Sequence, residues 1–230
     1  MQQPDHILSS FNQALERLRE GVITMSSHAR KNLANAMRGL LERDSDLCNQ
    51  TIADDQDVNQ LEKTVDKLGL DILFRFHPLA HDLRQVMGTI RIANNLERIS
   101  DQASSIAKRA RKINALPEMA EVNLLQPVYQ LAASLLEASI NAFTAGDIDA
   151  ASAIPARDKE LDAAEKQLQA SLVELMESRS GSLEIYLHLI FIGRFLERVG
   201  DHAKNIAEDI IFIERAEDVR FSKDKRQAAE

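Results

Sequence analysis

The chain has 230 residues, of which 44% are hydrophobic, with no Trp, five Pro and eight Gly. That is enough for one large core or two small ones, and long stretches free of Pro and Gly but rich in Ala, Leu, Glu and Arg point to an all-α protein. A formal net charge of −8 argues against a nonspecific nucleic-acid binder, whose phosphate contacts need a basic surface. The lone Cys48 excludes an internal disulfide and fits a reducing cytoplasm.

Taken in chain order, the N-terminal residues carry no charged-then-apolar leader. A first helix is expected from about Ile7 to Glu42, with Leu15, Leu18, Val22, Met25, Ala29, Leu33, Ala36 and Leu40 turned inward. Asp44-Ser45-Asp46 reads as a stop and a new N-cap. A short helix is expected next, with Asp54-Asp55 leading into a second long one striped by Val58, Leu61, Val65, Leu68 and Ile72. His77-Pro78 should end it, because the residue before Pro is pushed out of the α region. A third helix is expected from Leu79 to about Asn114. Leu116-Pro117 reads as a hinge, after which the same order returns. Leu136, Ile140 and Phe143 repeat Leu33, Met37 and Leu40, and Asp147-Ile148-Asp149 repeats Asp44-Ser45-Asp46. Ser180-Gly181-Ser182 stands where the His-Pro break stood, and the charged tail beyond residue 216 is expected to fray. The longest apolar run, around Leu187–Ile192, is too short to span a bilayer, and a soluble cytoplasmic protein is expected.

One stretch occurs twice. Ile92-Ala93-Asn94-Asn95-Leu96-Glu97-Arg98-Ile99-Ser100-Asp101 returns one hundred residues later as Ile192-Gly193-Arg194-Phe195-Leu196-Glu197-Arg198-Val199-Gly200-Asp201. Apolar residues at 92, 96, 99, 103 and 106, and at 192, 196, 199, 203 and 206, mark one helical face. A period this long holds a three-helix unit, so the fold expected is a tandem duplication of a three-helix bundle. The boundaries expected are 1–115 and 116–216, followed by a tail over 217–230.

Each copy carries two acids four residues apart, Glu97 with Asp101 and Glu197 with Asp201. Like charges at that spacing sit side by side and cost a helix about 0.2–0.5 kcal/mol. The helix before each copy adds Asp55, Asn59 and Glu62 in the first half, and Asp158, Asp162 and Glu165 in the second. If neighbouring helices present these rows to each other, the all-oxygen site suits hard cations such as Mg²⁺ or Mn²⁺, with ferric iron also fitting. The competing reading is solvated acids paired with Arg98, Arg194, Arg198 and Lys204. In each helix the acid row continues a line of apolar residues (Leu83, Met87 and Ile90, or Leu183, Leu187 and Ile190) lying opposite the main stripe. Each helix is therefore expected to begin buried nearly all round and then turn acidic at a bundle rim.

No catalytic set emerges. His202 neighbours Asp201 but points about 100° away around the helix, a surface position. His77 and His81 straddle Pro78, and no His follows Glu at the three-residue spacing of di-iron bundles. Phosphate-cradling glycine loops, Cys clusters and nucleophile elbows are missing from the sequence. Met25, Met37 and Met87 read as core filler.

Leu-Glu-Arg-Ile-Ser-Asp at 96–101 and Leu-Glu-Arg-Val-Gly-Asp-His-Ala-Lys-Asn-Ile-Ala-Glu at 196–208 resemble the twin motifs of the PhoU family. Asp82-Leu83-Arg84, Met25 and Asp55-Gln56-Asp57-Val58-Asn59 also look like that family, and the resemblance covers about residues 5 to 215. It implies a non-enzymatic regulator of phosphate transport. The implied partners are the ATPase subunit of the phosphate transporter and a sensor histidine kinase, and the resemblance is compatible with a homodimer; the net charge is what speaks against nucleic acid. It further implies metal at Glu97, Asp101 and Asp55, and at Glu197, Asp201, Asp158 and Asp162, the ion being Mg, Mn, Fe or Zn and dispensable for folding. The chain departs from the family pattern at Ser100, Gln102 and Asn59, so the first cluster is expected to be the weaker. The alternative is a metal store or metal-dependent enzyme built on the same acids.

Overall fold

A computed structural model describes residues 4–178 and 182–219. Among the described residues the order is α1 (Pro4–Leu41), α2 (Ser45–Phe76) and α3 (Ala80–Asn114), then α4 (Gln126–Ala145), α5 (Ile148–Glu177) and α6 (Leu183–Arg215). A 3-10 segment over Ala120–Leu125 joins the halves. Each half is a three-helix bundle, and the two are joined chiefly where α3 lies against α6. The all-α tandem duplication is thus present.

The helices begin and end where local chemistry says they should. Asp44 and Asp147 sit in extended backbone and accept hydrogen bonds from Leu47 N (2.8 Å) and Ala150 N (2.9 Å), satisfying free amides of α2 and α5. The residue before each cap is left-handed, Arg43 at φ 55° and Gly146 at φ 65°. Gly is the residue that takes this conformation without steric cost. Arg43 uses its position differently: its guanidinium donates to the carbonyls of Asn114 (2.8 Å) and Leu116 (2.6 Å), binding the α1–α2 corner to the end of α3. His77 caps α2 in left-handed backbone, its N–H donating to Leu73 O.

One expectation about the elements is corrected. No break separates a short helix from a long one at Asp54-Asp55; α2 is continuous. These acids are satisfied sideways instead of capping a helix, Asp54 by Lys31 Nζ (3.1 Å) and Asp55 by Ser100 Oγ (2.7 Å). Residues 180 and 181 of the expected second break lie outside the described residues, as does the tail beyond residue 219.

The core follows the predicted stripes. Leu18, Val22, Met25, Ala29, Leu33, Ala36 and Leu40 of α1 are buried, while Leu15, Leu61 and Leu68 pack at its margin. The stripes Ile92, Leu96, Ile99, Ala103, Ile106 and Ile192, Leu196, Val199, Ala203, Ile206 are fully buried. The opposite rows are not. Leu83, Met87, Leu183 and Leu187 are exposed, so neither helix begins buried all round and Met87 is not core filler. Both helices pack against their two bundle partners and against each other, and the first turns of this row still face solvent.

The seam between the halves is antiparallel and partly polar. Arg84 donates to Ile213 O (3.2 Å), Arg91 lies 3.6 Å from Asp209, and His202 Nδ1 meets Asn95 Oδ1 at 3.1 Å. Arg109 stacks over Phe191 with 3.8 Å to the ring centre and bonds His188 Nδ1 at 3.0 Å. His202 is therefore an interface residue instead of a surface one, and burial among helices lowers its pKa.

Candidate functional site

Antiparallel packing sets the acid row of α2 against that of α3, and the row of α5 against that of α6. In the first half Asp55, Glu62, Glu97 and Asp101 face one another, with Asn59 on the same face of α2. Burial pushes the Glu97 carboxyl up, and the charges of Asp101, Glu62 and Asp55 push it further. Asp55 is raised by burial and by Asp101, against the lowering effect of the Ser100 hydroxyl. In the second half Asp158, Asp162, Glu165, Glu197 and Asp201 form the matching row. Glu197 is raised by burial, then by Asp201, Glu165 and Asp162. The two rows predicted from sequence are therefore brought together, one on each half.

The rows are not all at the rim. Asp158 and Glu165 are 3% and 2% exposed, so these two acids of α5 lie inside the packing. Glu165 accepts from Gln169 and lies 3.9 Å from Arg194. Among the described residues no three His, Cys, Asp or Glu side chains stand close enough, as they are, to hold a metal ion.

What a cation would meet differs between the rows. In the first half the neutral Ser100 hydroxyl donates to Asp55 and accepts from Asn32 (3.1 Å), and Glu62 accepts from Asn94 (3.0 Å). The ion-paired neighbour is Arg98, 3.4 Å from Glu97 and 3.5 Å from Asp101, but half its side chain is in solvent, and Lys108 adds a more distant positive charge at Asp55. Glu97 Oε2 is buried and accepts no hydrogen bond. That oxygen has only the 3.4 Å ion pair to Arg98 Nε, and carboxylate oxygens with a loosely held counter-ion fit a hard cation. In the second half Lys204 donates to Asp158 Oδ2 at 2.8 Å and reaches Asp201 Oδ1 at 3.5 Å. Burial alone would lower the Lys204 pKa, yet its bond to Asp158 and the charges of Asp158 and Asp201 raise it overall. Asp158 Oδ1 is buried without a hydrogen bond and lies against the Gly200 backbone, 3.2 Å from where a Cβ would stand.

The repeats exchange volume around these acids. A Cβ at Gly200 would come within 2.2 Å of Leu161, and one at Gly193 within 2.9 Å of Leu168. At the matching places the first half has the shorter Val58 and Val65 on α2, and the larger Ser100 and Ala93 on α3, all buried. Ser100 is therefore fitted to its repeat, and its hydroxyl is the donor that Gly200 cannot be. The signal was visible in sequence as two substitutions between the copies, Ser100 for Gly200 and Ser104 for Lys204, but its meaning needs the partner acid on the neighbouring helix.

Comparison with known proteins agrees with this architecture. The PhoU domain model matches residues 22–110 and again 125–210. The chain is 33% identical over 226 residues to the phosphate-specific transport system accessory protein PhoU homolog of Pseudomonas putida, covering 98% of this chain and 88% of that one. It is 31% identical over 215 residues to the phosphate-specific transport system accessory protein PhoU of Escherichia coli (strain K12), covering 94% of this chain and 89% of that protein. The crystal structure of PhoU from Pseudomonas aeruginosa superposes with a TM-score of 0.87 at 31% identity, covering 90% of this chain and 100% of that one. The chain belongs to the PhoU family, an accessory and regulatory family that is not enzymatic.

Proposed function

We propose that this chain is a signalling adaptor that couples the phosphate-specific transporter to a sensor histidine kinase and represses the phosphate-starvation regulon when phosphate is plentiful. The observation that supports it best is a duplicated surface. Leu83 and Met87 on α3 and Leu183 and Leu187 on α6 stay exposed at equivalent positions, each leading into an acid row. Large apolar side chains held in solvent beside fixed charges suit docking. The transporter ATPase subunit and the kinase are the partners, met at the cytoplasmic face of the membrane. Among the described residues no helix is long and apolar enough to cross a membrane itself. A homodimer would bring four such faces into one assembly. Direct sensing of phosphate is disfavoured, because the acid rows repel an anion unless a metal bridges them.

The test is alkaline phosphatase activity in a deletion strain grown in high phosphate. High activity, returned to low by this gene, supports the adaptor; activity as low as in the parent overturns it.

A second reading concerns metal on the acid rows, favoured by the raised carboxyl of Glu97 and by its buried Oε2, which accepts no hydrogen bond and has only the long ion pair to Arg98. A divalent or ferric ion (Mg, Mn, Fe or Zn) would neutralise like charges held side by side, without being needed for folding. Dialysed protein that takes up no Mn²⁺ in titration calorimetry would remove this reading and leave the adaptor standing.

A further inference from the structure

We propose that the second acid row carries its own cation, the Lys204 ammonium, so that metal enters the first row alone and the second becomes a metal site only when Lys204 is taken away. The proposal rests on the metal reading above for the first row, but its claim about Lys204 stands separately. It reverses the sequence expectation, in which Ser100 and Asn59 marked the first cluster as the weaker.

Geometry gives Lys204 this role. Its Nζ spans the two helices, 2.8 Å from Asp158 Oδ2 on α5 and 3.5 Å from Asp201 Oδ1 on its own helix. A bridging ion would occupy that place, between one acid of the middle helix and the second acid of the repeated motif. The Asp158 side chain is 4% exposed and that of Lys204 28%, so this pair is shielded from salt. A divalent ion entering the row would have to expel the ammonium from a buried carboxylate, or sit beside it against like-charge repulsion. The equivalent first-half position holds Ser104, which brings no charge. There the cations are Arg98, whose side chain is 52% exposed and reaches its acids at 3.4 and 3.5 Å, and Lys108, whose charge acts on Asp55 without forming an ion pair with it. A guanidinium half in solvent and at that distance is held weakly and can swing into water as metal arrives. The second half has the richer acid row, with Asp162 where the first has Asn59; what sets the halves apart here is whether the counter-ion can leave.

Mn²⁺ alone, added to the dialysed full-length chain and followed by the electron paramagnetic resonance of the free ion and by calorimetry, tests this. Wild-type uptake should be lost in Glu97→Gln with Asp101→Asn, and unchanged in Glu197→Gln with Asp201→Asn. Lys204→Ser should add a new class of Mn²⁺ site at least about tenfold tighter than any residual second-half binding, and adding Asp201→Asn should abolish it. Lys204→Arg keeps the charge and should gain nothing, which separates loss of charge from loss of packing. Lys204→Gln replaces Lys204→Ser if circular dichroism shows that the latter has lost helix. Loss of wild-type uptake through Glu197→Gln with Asp201→Asn would overturn the proposal, as would a helical Lys204→Ser or Lys204→Gln that takes up no more than wild type. No uptake by wild type together with a gain in Lys204→Ser would sink the first-row metal reading and still support the built-in cation.

Discussion

The helix pairs α2–α3 and α5–α6 are built on one plan and solve it with opposite parts. Both set an acid of the middle helix, Asp55 or Asp158, against the motif of the third. In the first pair the middle helix is slimmer, with Val58 and Val65, and the third is thicker, with Ser100 and Ala93. In the second, Leu161 and Leu168 press on Gly200 and Gly193. The two halves keep the space between the helices while exchanging the residues that fill it. That exchange also changes electrostatics. With a hydroxyl at position 100 a neutral donor serves Asp55, whereas Gly200 leaves Asp158 to the ammonium of Lys204.

In the core the two halves should behave alike. Leu96→Ala and Leu196→Ala should each cost about 2–5 kcal/mol in urea unfolding, since both side chains are fully buried. A loss below half a kcal/mol in one of them would mean that its stripe is not packed as described. The counter-ions should then behave differently. Lys204→Met should cost about 1–3 kcal/mol, because it leaves Asp158 buried and charged, with some relief from the partly open side of the pair. Arg98→Met should cost less than about 0.5 kcal/mol, as expected of a long pair whose guanidinium is half in solvent. Equal losses would erase the distinction. Gly200→Ala should cost about 1–3 kcal/mol by overpacking Leu161; combining it with Leu161→Val, the first-half residue, should recover most of that.

The smallest effect is in pH dependence. Asp55, Glu97 and Glu197 are raised in the folded chain, so the native state holds their protons at pH values where the unfolded state has released them. Metal-free protein should therefore lose stability as pH rises through the window just above the ordinary carboxylate range, and regain it on acidification through that window. Glu97→Gln should flatten this slope and stabilise the metal-free chain at neutral pH by about 0.2–0.5 kcal/mol, the size of one relieved like-charge pair. A melting temperature that falls on acidification through that window would contradict the direction.

Sequence alone determined the number and order of long helices, their caps at Asp44 and Asp147, the buried stripes around Leu96 and Leu196, their repetition, and the acid row along each helix. These are properties of single helices, fixed by a period of 3.6 residues and by side chains bonding to their own backbone. Tertiary structure decided the rest. It kept α2 whole through Asp54 and Asp55, because Lys31 and Ser100 from neighbouring helices satisfy those acids. It left Met87 and Leu187 in solvent, since periodicity marks a face without saying what covers it. It moved Asp158 into the interior and His202 into the seam between the halves. And it chose Lys204, among several basic residues within reach in sequence, as the cation of the second row: a charge's partner is set by the distance between helices, which no pattern along one of them contains.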